Sequence, residues 1–338
     1  MKFNNVSILG VAHVEAPNRV TSQEIEDTLE PAMKRFGITR KILESLSGIR
    51  ARHFWDPGTQ PSEASTMAAE KVLEQTGLDR SKLGVLINTS VSKDYIEPST
   101  ACLVHGNLGL GPDCMNMDVG NACLAFMNGM EIVGMMIERG QVDYGLVVAG
   151  EEARTAVEST ISRILDPEAT VQTYRDNFAT LTLGSGGAAM ILGRSDLIDT
   201  GHRILGSVTQ AATQHNRLCL GQPDRMITDA TALLKAGIRL AGRTWQIAQK
   251  VLNWPGDVLD HYMIHQISSV HTSSLVEAIG IDESKVYKMY PEFGNIGPVN
   301  LPMILSKSLE EGLLKTGHRI GLLGIGSGLN CSMMEVVW

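Results

Sequence analysis

No uninterrupted apolar run in this sequence approaches the roughly 18 residues that a membrane-crossing helix requires, so no membrane span is expected. Met1 to His13 carries one lysine and then alternates as a strand does, unlike the layout of a secretory leader. Cysteine occurs only five times, an odd number without regular spacing, which excludes a disulfide framework and favours a reducing compartment. A cytoplasmic location follows as the expectation. Basic residues are also in short supply: 29 Lys and Arg against 37 Asp and Glu leave a net charge of -8. That balance excludes general nucleic-acid binding, which needs a broad basic surface. A phosphorylated ligand would have to meet a local basic patch instead.

The remaining composition, 43% hydrophobic and 20% charged over 338 residues, describes a globular chain able to build one large core or two packed halves. Val6 to Val11, Leu83 to Thr89 and Tyr144 to Ala149 read as apolar strands, and Ile25 to Phe36 and Ala64 to Gln75 have helical spacing. This alternation predicts an α/β fold with largely parallel strands. A second cycle begins near residue 203, where Ile204 to Val208 echoes Val6 to Gly10. It continues through a helix at Thr228 to Gln249, a strand at His261 to His265, and a final pair at Gly317 to Gly324 and Asn330 to Val337. The expected division is therefore residues 1–200 and 201–338. Residues 154–178 break the rhythm: they are polar and long for a connection. They read either as a wall over a substrate channel or, better suited to their composition, as two solvated surface helices.

The chemistry concentrates around Cys123. Met115 to Val119 reads as a short buried strand, Gly120-Asn121 as a turn, and Leu124 to Arg139 as a helix stopped by Gly140. A cysteine at a strand-to-helix junction lies where unpaired helix amides favour a thiolate, the form that attacks a carbonyl. Cys102, Cys114, Cys219 and Cys331 read as small buried hydrophobes. His265, at the end of an apolar strand, is by itself as well explained as a core histidine. Asn295, in Phe293-Gly294-Asn295-Ile296-Gly297-Pro298, is by itself turn chemistry. Together with Cys123 they gain meaning, because a neutral imidazole and an amide both donate to an oxyanion growing on a thioester carbonyl. A papain-like hydrolase also orders Cys, His and Asn in this way, but Cys123 lies deep in the chain and lacks the flanking residues of that family.

The run Asp118 to Phe126, the Ile264-His265-Gln266 triplet, Gly294 to Pro298 and the closing Gly324 to Asn330 resemble the thiolase superfamily, in the branch of ketoacyl-acyl carrier protein synthase III. Ser47 to Arg50 and Gly184 to Ala189 fit the same branch, so the resemblance spans essentially the whole chain. Within it, the sequence is most similar to the acyl-CoA condensing enzymes of bacterial head-to-head olefin biosynthesis. The resemblance implies a thiolase fold of two similar αβαβα halves in five layers, and a homodimer. It implies Cys123 as the acylated nucleophile, His265 and Asn295 as oxyanion donors to the second substrate, and the backbone amides of Cys123 and Ser327 as the other oxyanion hole. No cofactor is implied beyond coenzyme A thioesters as substrates. Downstream enzymes of an olefin or β-lactone pathway are the implied partners.

One residue bears on the choice between this reaction and the alternative reading, a decarboxylating synthase that extends an acyl primer with a malonyl donor. Losing carbon dioxide makes the carbanion without a base, whereas joining two plain acyl thioesters needs one. Glu97 stands where the synthase III pattern usually has an apolar residue reaching the partner's acyl pocket. It is the candidate base, expected to cross the dimer interface into an apolar pocket that raises its pKa; without the family context it reads as a surface glutamate before Pro98. The tryptophan and arginine that hold the CoA nucleotide in synthase III are absent from Ile42 to Leu46. Arg225 is the remaining candidate for a phosphate contact, although an exposed loop arginine is ordinarily just solvated.

Overall fold

The computed structural model describes every residue except Thr200, on which the expected division falls. Its strands, in chain order, are β1 (Val6–Glu15), β2 (Asn18–Thr21), β3 (Ala51–Phe54), β4 (Leu83–Asn88), β5 (Met115–Asp118), β6 (Tyr144–Glu151) and β7 (Gly186–Arg194). They continue with β8 (Arg203–Ala211), β9 (Cys219–Gln222), β10 (Arg225–Thr228), β11 (His261–Ile264), β12 (Arg319–Gly326) and β13 (Asn330–Val337). Nine of these form one sheet in the order β11-β12-β13-β8-β1-β7-β6-β4-β5.

The sheet order repeats itself. From β1 outward, antiparallel β7 and β6 are followed by β4 and β5, each parallel to the strand before it. From β8 outward, antiparallel β13 and β12 are followed by parallel β11. The two series meet at one pair, Ser7 opposite Arg203. The sheet is thus mixed rather than largely parallel. A turn of three residues joins β12 to β13, and so short a link permits only antiparallel pairing. β5 is likewise an edge strand with Met115 and Met117 exposed, not the buried strand its apolar residues suggested, because no further strand covers that edge.

The helix Ala125–Glu138 forms the centre of the molecule. Met127, Met130, Val133 and Ile137 recur at helical spacing, and each is at most 1% exposed. They share one core with Val85, Ile87, Val147 and Met190 of the first strand series, with Leu322 of the second, and with Leu301 and Ile304 of the helix Asn300–Glu310. Burying each such side chain contributes about 1.5–3 kcal/mol. Arg139 caps the helix and Gly140, at φ 65, ends it.

Residues 154–178 form the helices Arg154–Leu165 and Val171–Asn177. Each has a solvated face, as expected, but its other face is buried. Val157, Ile164 and Tyr174 are buried with Ile25, Leu29 and Met33 of the helix Ser22–Phe36. The β9–β10 hairpin is tied to this unit: Thr180 Oγ1 donates to Met226 O at 3.0 Å, and Arg163 Nη2 to Asp224 Oδ2 at 3.4 Å. Of the cysteines read as buried hydrophobes, Cys114 and Cys331 are buried, Cys219 is half-buried, and Cys102 is exposed on the outer face of a short helix.

Candidate active site

Cys123 sits in the turn between β5 and the central helix. Val119 N continues the ladder to Asn88 O at 2.9 Å, then Leu124 N donates to Asn121 O and Ala125 N to Ala122 O, both at 3.1 Å. Ala122 has φ 48, a left-handed conformation that alanine rarely adopts and that only firm surroundings hold. The helix begins at Ala125 with Leu124 as its cap, so Cys123 stands just outside the first turn. The thiolate-favouring field expected there does not prevail. Burial pushes the thiol up to about 12, the Glu151 carboxylate and then Cys219 push the same way, and only a local backbone hydrogen bond opposes them. Cys123 nevertheless keeps part of its surface open.

His265 follows β11 directly. Its N–H extends the β11–β12 ladder to Leu323 O at 2.9 Å, and its ring is 1% exposed. Burial, reinforced by His271 and opposed by the Asn300 amide, pulls its pKa down to about 3, so the imidazole is neutral at working pH. Neither ring nitrogen has a well-formed protein partner, and neither does Asn300 Nδ2 beside it. Asn300 Oδ1 accepts the Gln266 N–H at 2.9 Å, while Gln266 Oε1 accepts from Met289 N and Tyr290 N. These bonds fix the strand end from which His265 projects.

Asn295 is placed by its neighbours. Gly294 has φ 66, and a Cβ there would lie 2.4 Å from Thr182 O, so glycine is required. Asn295 N donates to Thr182 O at 3.0 Å, and its carbonyl accepts from Gly184 N at 2.9 Å. Its Oδ1 accepts the Gly297 N–H at 3.0 Å, which leaves the amide nitrogen as the donor end of the side chain.

Close contacts draw these pieces into one neighbourhood. Within β12, Leu323, whose carbonyl takes the His265 N–H, is followed by Gly326, where an added Cβ would meet Asn121 O at 2.8 Å. Ser327 follows, half-buried in the turn to β13. A Cβ on Gly297 would lie 3.6 Å from the carboxyl carbon of Glu151, the group that acts on Cys123. Glu97 and Arg225 stand apart on exposed segments, Glu97 on a loop with Tyr95 59% and Ile96 100% exposed, Arg225 at the far end of the β9–β10 hairpin.

Glu151, Asn300 and Asn121 were missed from the sequence. Glu151 accepts Val91 N at 2.6 Å, Ser92 N at 3.2 Å and Ser92 Oγ at 2.7 Å, tying down one root of the Glu97 loop. Asp118 ties the other through Thr100 N and Ala101 N. Burial raises Glu151 to about 7 against those hydrogen bonds. The available signal was an acid ending the apolar run of β6.

Known proteins match this arrangement. Residues 117–213 match the 3-oxoacyl-[acyl-carrier-protein (ACP)] synthase III family and residues 251–338 its C-terminal family. The acyl-CoA:acyl-CoA alkyltransferase of Xanthomonas campestris pv. campestris is 51% identical over all of both chains, and that of Shewanella oneidensis 37% identical over all of both. A crystal structure of Xanthomonas campestris OleA superposes with a TM-score of 0.98, covering 100% of this chain and 99% of the other. A cysteine-to-serine variant of that protein, solved with bound lauric acid and lauroyl-CoA, also gives 0.98 at 51% identity, covering 99% and 100%. The chain has the thiolase fold and belongs to the acyl-CoA:acyl-CoA alkyltransferase (OleA) family of acyltransferases, with synthase III-like domains.

Proposed function

We propose that the protein joins two fatty acyl-CoA molecules by non-decarboxylative Claisen condensation through an acyl-Cys123 intermediate. What supports this reading is a partly accessible cysteine in a chain 51% identical to an acyl-CoA:acyl-CoA alkyltransferase, together with a buried His265 whose ring nitrogens have no well-formed partner. Solved variants of the Xanthomonas protein replace a glutamate, a cysteine and a histidine spaced along the chain as Glu97, Cys123 and His265 are here.

In the first half-reaction the Cys123 sulfur attacks the thioester carbonyl of one acyl-CoA. Burial keeps the thiol protonated until attack, and its proton ends on the departing CoA sulfur. The Cys123 and Ser327 amides receive the oxyanion. In the second, Glu97 takes the α-proton of another acyl-CoA, and His265 and Asn295 hold the enolate oxygen. The enolate carbon attacks acyl-Cys123, a carbon–carbon bond forms, and the sulfur leaves and regains a proton. The product is a 2-alkyl-3-ketoacyl thioester, hydrolysed to the keto acid, a precursor for olefin or β-lactone synthesis.

Glu97 serves the site of a second copy of this chain. Its loop is exposed in the single chain, carries apolar Tyr95 and Ile96 beside it, and adjoins the uncovered β5 edge with Met115 and Met117, a surface suited to a homodimer. CoA release from a long-chain acyl-CoA supplied alone tests the reading, with the Cys123→Ala protein as control. The expected yield is two CoA per ketone, formed when the keto acid loses carbon dioxide. Stalling at acyl-Cys123 until a malonyl donor is added would instead establish decarboxylating synthase chemistry.

A further inference from the structure

Behind the nucleophile turn, four side chains form a chain of hydrogen bonds with one direction. Asn330 Nδ2 donates to Asn121 Oδ1 at 2.9 Å, Asn121 Nδ2 to Asn128 Oδ1 at 2.8 Å, and Asn128 Nδ2 to Glu131 Oε2 at 3.0 Å. Glu131 is 7% exposed on the largely apolar central helix, and its Oε1 also accepts from Ser332 Oγ at 3.3 Å and Thr209 Oγ1 at 3.4 Å. A carboxylate only accepts. It therefore obliges Asn128 to face it with the amide nitrogen, which leaves the Asn128 oxygen for Asn121, and the Asn121 oxygen for Asn330. One acid at the end of the chain sets the orientation of every amide along it.

The two far members are informative by position. Asn121 precedes the left-handed Ala122 and Cys123, and Asn330 follows the Ser327 turn at the start of β13. The same two turns touch again at Gly326, packed against Asn121 O. We propose that Asn121 and Asn330 are positioning residues, a bridge polarised by Glu131 that sets the separation of the Cys123 and Ser327 amides and so shapes the oxyanion hole. This rests on the reading of those amides as that hole. A bridge of this kind acts on transition-state geometry, where a shift of an ångström costs on the order of a hundredfold in rate while substrate binding is little changed.

The direction of the chain supplies a test, because moving the acid to the other end should reverse it. Asn121→Asp puts an acceptor opposite the Asn128 oxygen; Asn128 can turn to meet it only by facing Glu131 with its oxygen. Adding Glu131→Gln relieves that clash, because the glutamine nitrogen donates to the turned Asn128. Single-turnover release of CoA, with the acyl adduct on Cys123 followed by intact mass, should fall on the order of a hundredfold in Asn121→Asp, with KM within about twofold of wild type. The double variant should recover at least tenfold. Asn330→Asp, alone and with Glu131→Gln, repeats the comparison from the opposite end and serves if Asn121→Asp does not fold. Wild-type acylation rates in both Asp variants, or Asp variants that Glu131→Gln fails to rescue, would overturn the proposal. A wild-type protein that forms no acyl-Cys123 would defeat the functional reading itself, and the bridge with it.

Discussion

Glu151 is a buried acid whose titration should be visible in the stability of the whole molecule. Burial raises its pKa from 4.5 to about 7 in the fold, while the unfolded chain keeps the ordinary value. The folded protein thus holds a proton that the unfolded chain has already released. The stabilisation is complete below pH 4.5, declines as pH rises, and is gone above about pH 7. A shift of this size corresponds to about 3 kcal/mol, most of it lost between pH 5 and pH 8. With an unfolding entropy of about 2 cal/mol/K per residue, a chain of this length moves by about 3–4 °C. Glu151→Gln removes the titration, and the other ionisable groups cancel in the difference between the two proteins. Calorimetric Tm values at pH 5 to 8 should therefore show wild type losing about 3–4 °C relative to Glu151→Gln across that range. A difference that stays flat, or that grows with pH, would refute the reasoning. Alkylation of Cys123 by iodoacetamide gives a second readout: without the negative neighbour it should be faster in the variant above neutral pH.

Other expectations follow from the same geometry. Gly326→Ala places a methyl 2.8 Å from Asn121 O and 3.2 Å from Leu124 Cβ, so acylation of Cys123 should slow on the order of a hundredfold; an unchanged burst of CoA would contradict the contact. Because burial holds His265 neutral, its ring nitrogens should give neutral-imidazole 15N shifts down to pH 5, and protonation near 6.5 would show the site to be wetter than described. Arg319→Met leaves the Glu335 carboxylate, 1% exposed, with Trp254 Nε1 at 2.8 Å as its one partner among the described residues, which should cost about 2–3 kcal/mol, read as a lower Tm. Glu97→Gln should still form acyl-Cys123 yet make no ketone, and a variant that condenses at the wild-type rate would remove Glu97 from the mechanism.

Periodicity and punctuation determine much by themselves here. The central helix is visible in Leu124, Met127, Met130, Val133 and Ile137 and in Gly140, and it occupies Ala125–Glu138. The strands near Val6, Leu83, Tyr144, Arg203 and Asn330 appear close to their expected places, because alternation and apolar runs are local properties of the chain. Cys123, His265 and Asn295 could be singled out only together and through the family resemblance, since His265 and Asn295 each have an ordinary structural reading when taken alone. Tertiary structure decided what depends on neighbours remote in sequence. Met115 and Met117 look like core yet lie on an open edge, since only the sheet order says which strand is last. The thiol of Cys123 is raised rather than lowered, because packing around it and the charge of Glu151 outweigh a helix whose first turn starts beyond it. Glu131, Asn121 and Asn330 are unremarkable polar letters along the chain; folding brings them together across about two hundred residues, and hydrogen-bond direction exists only once donor and acceptor face each other.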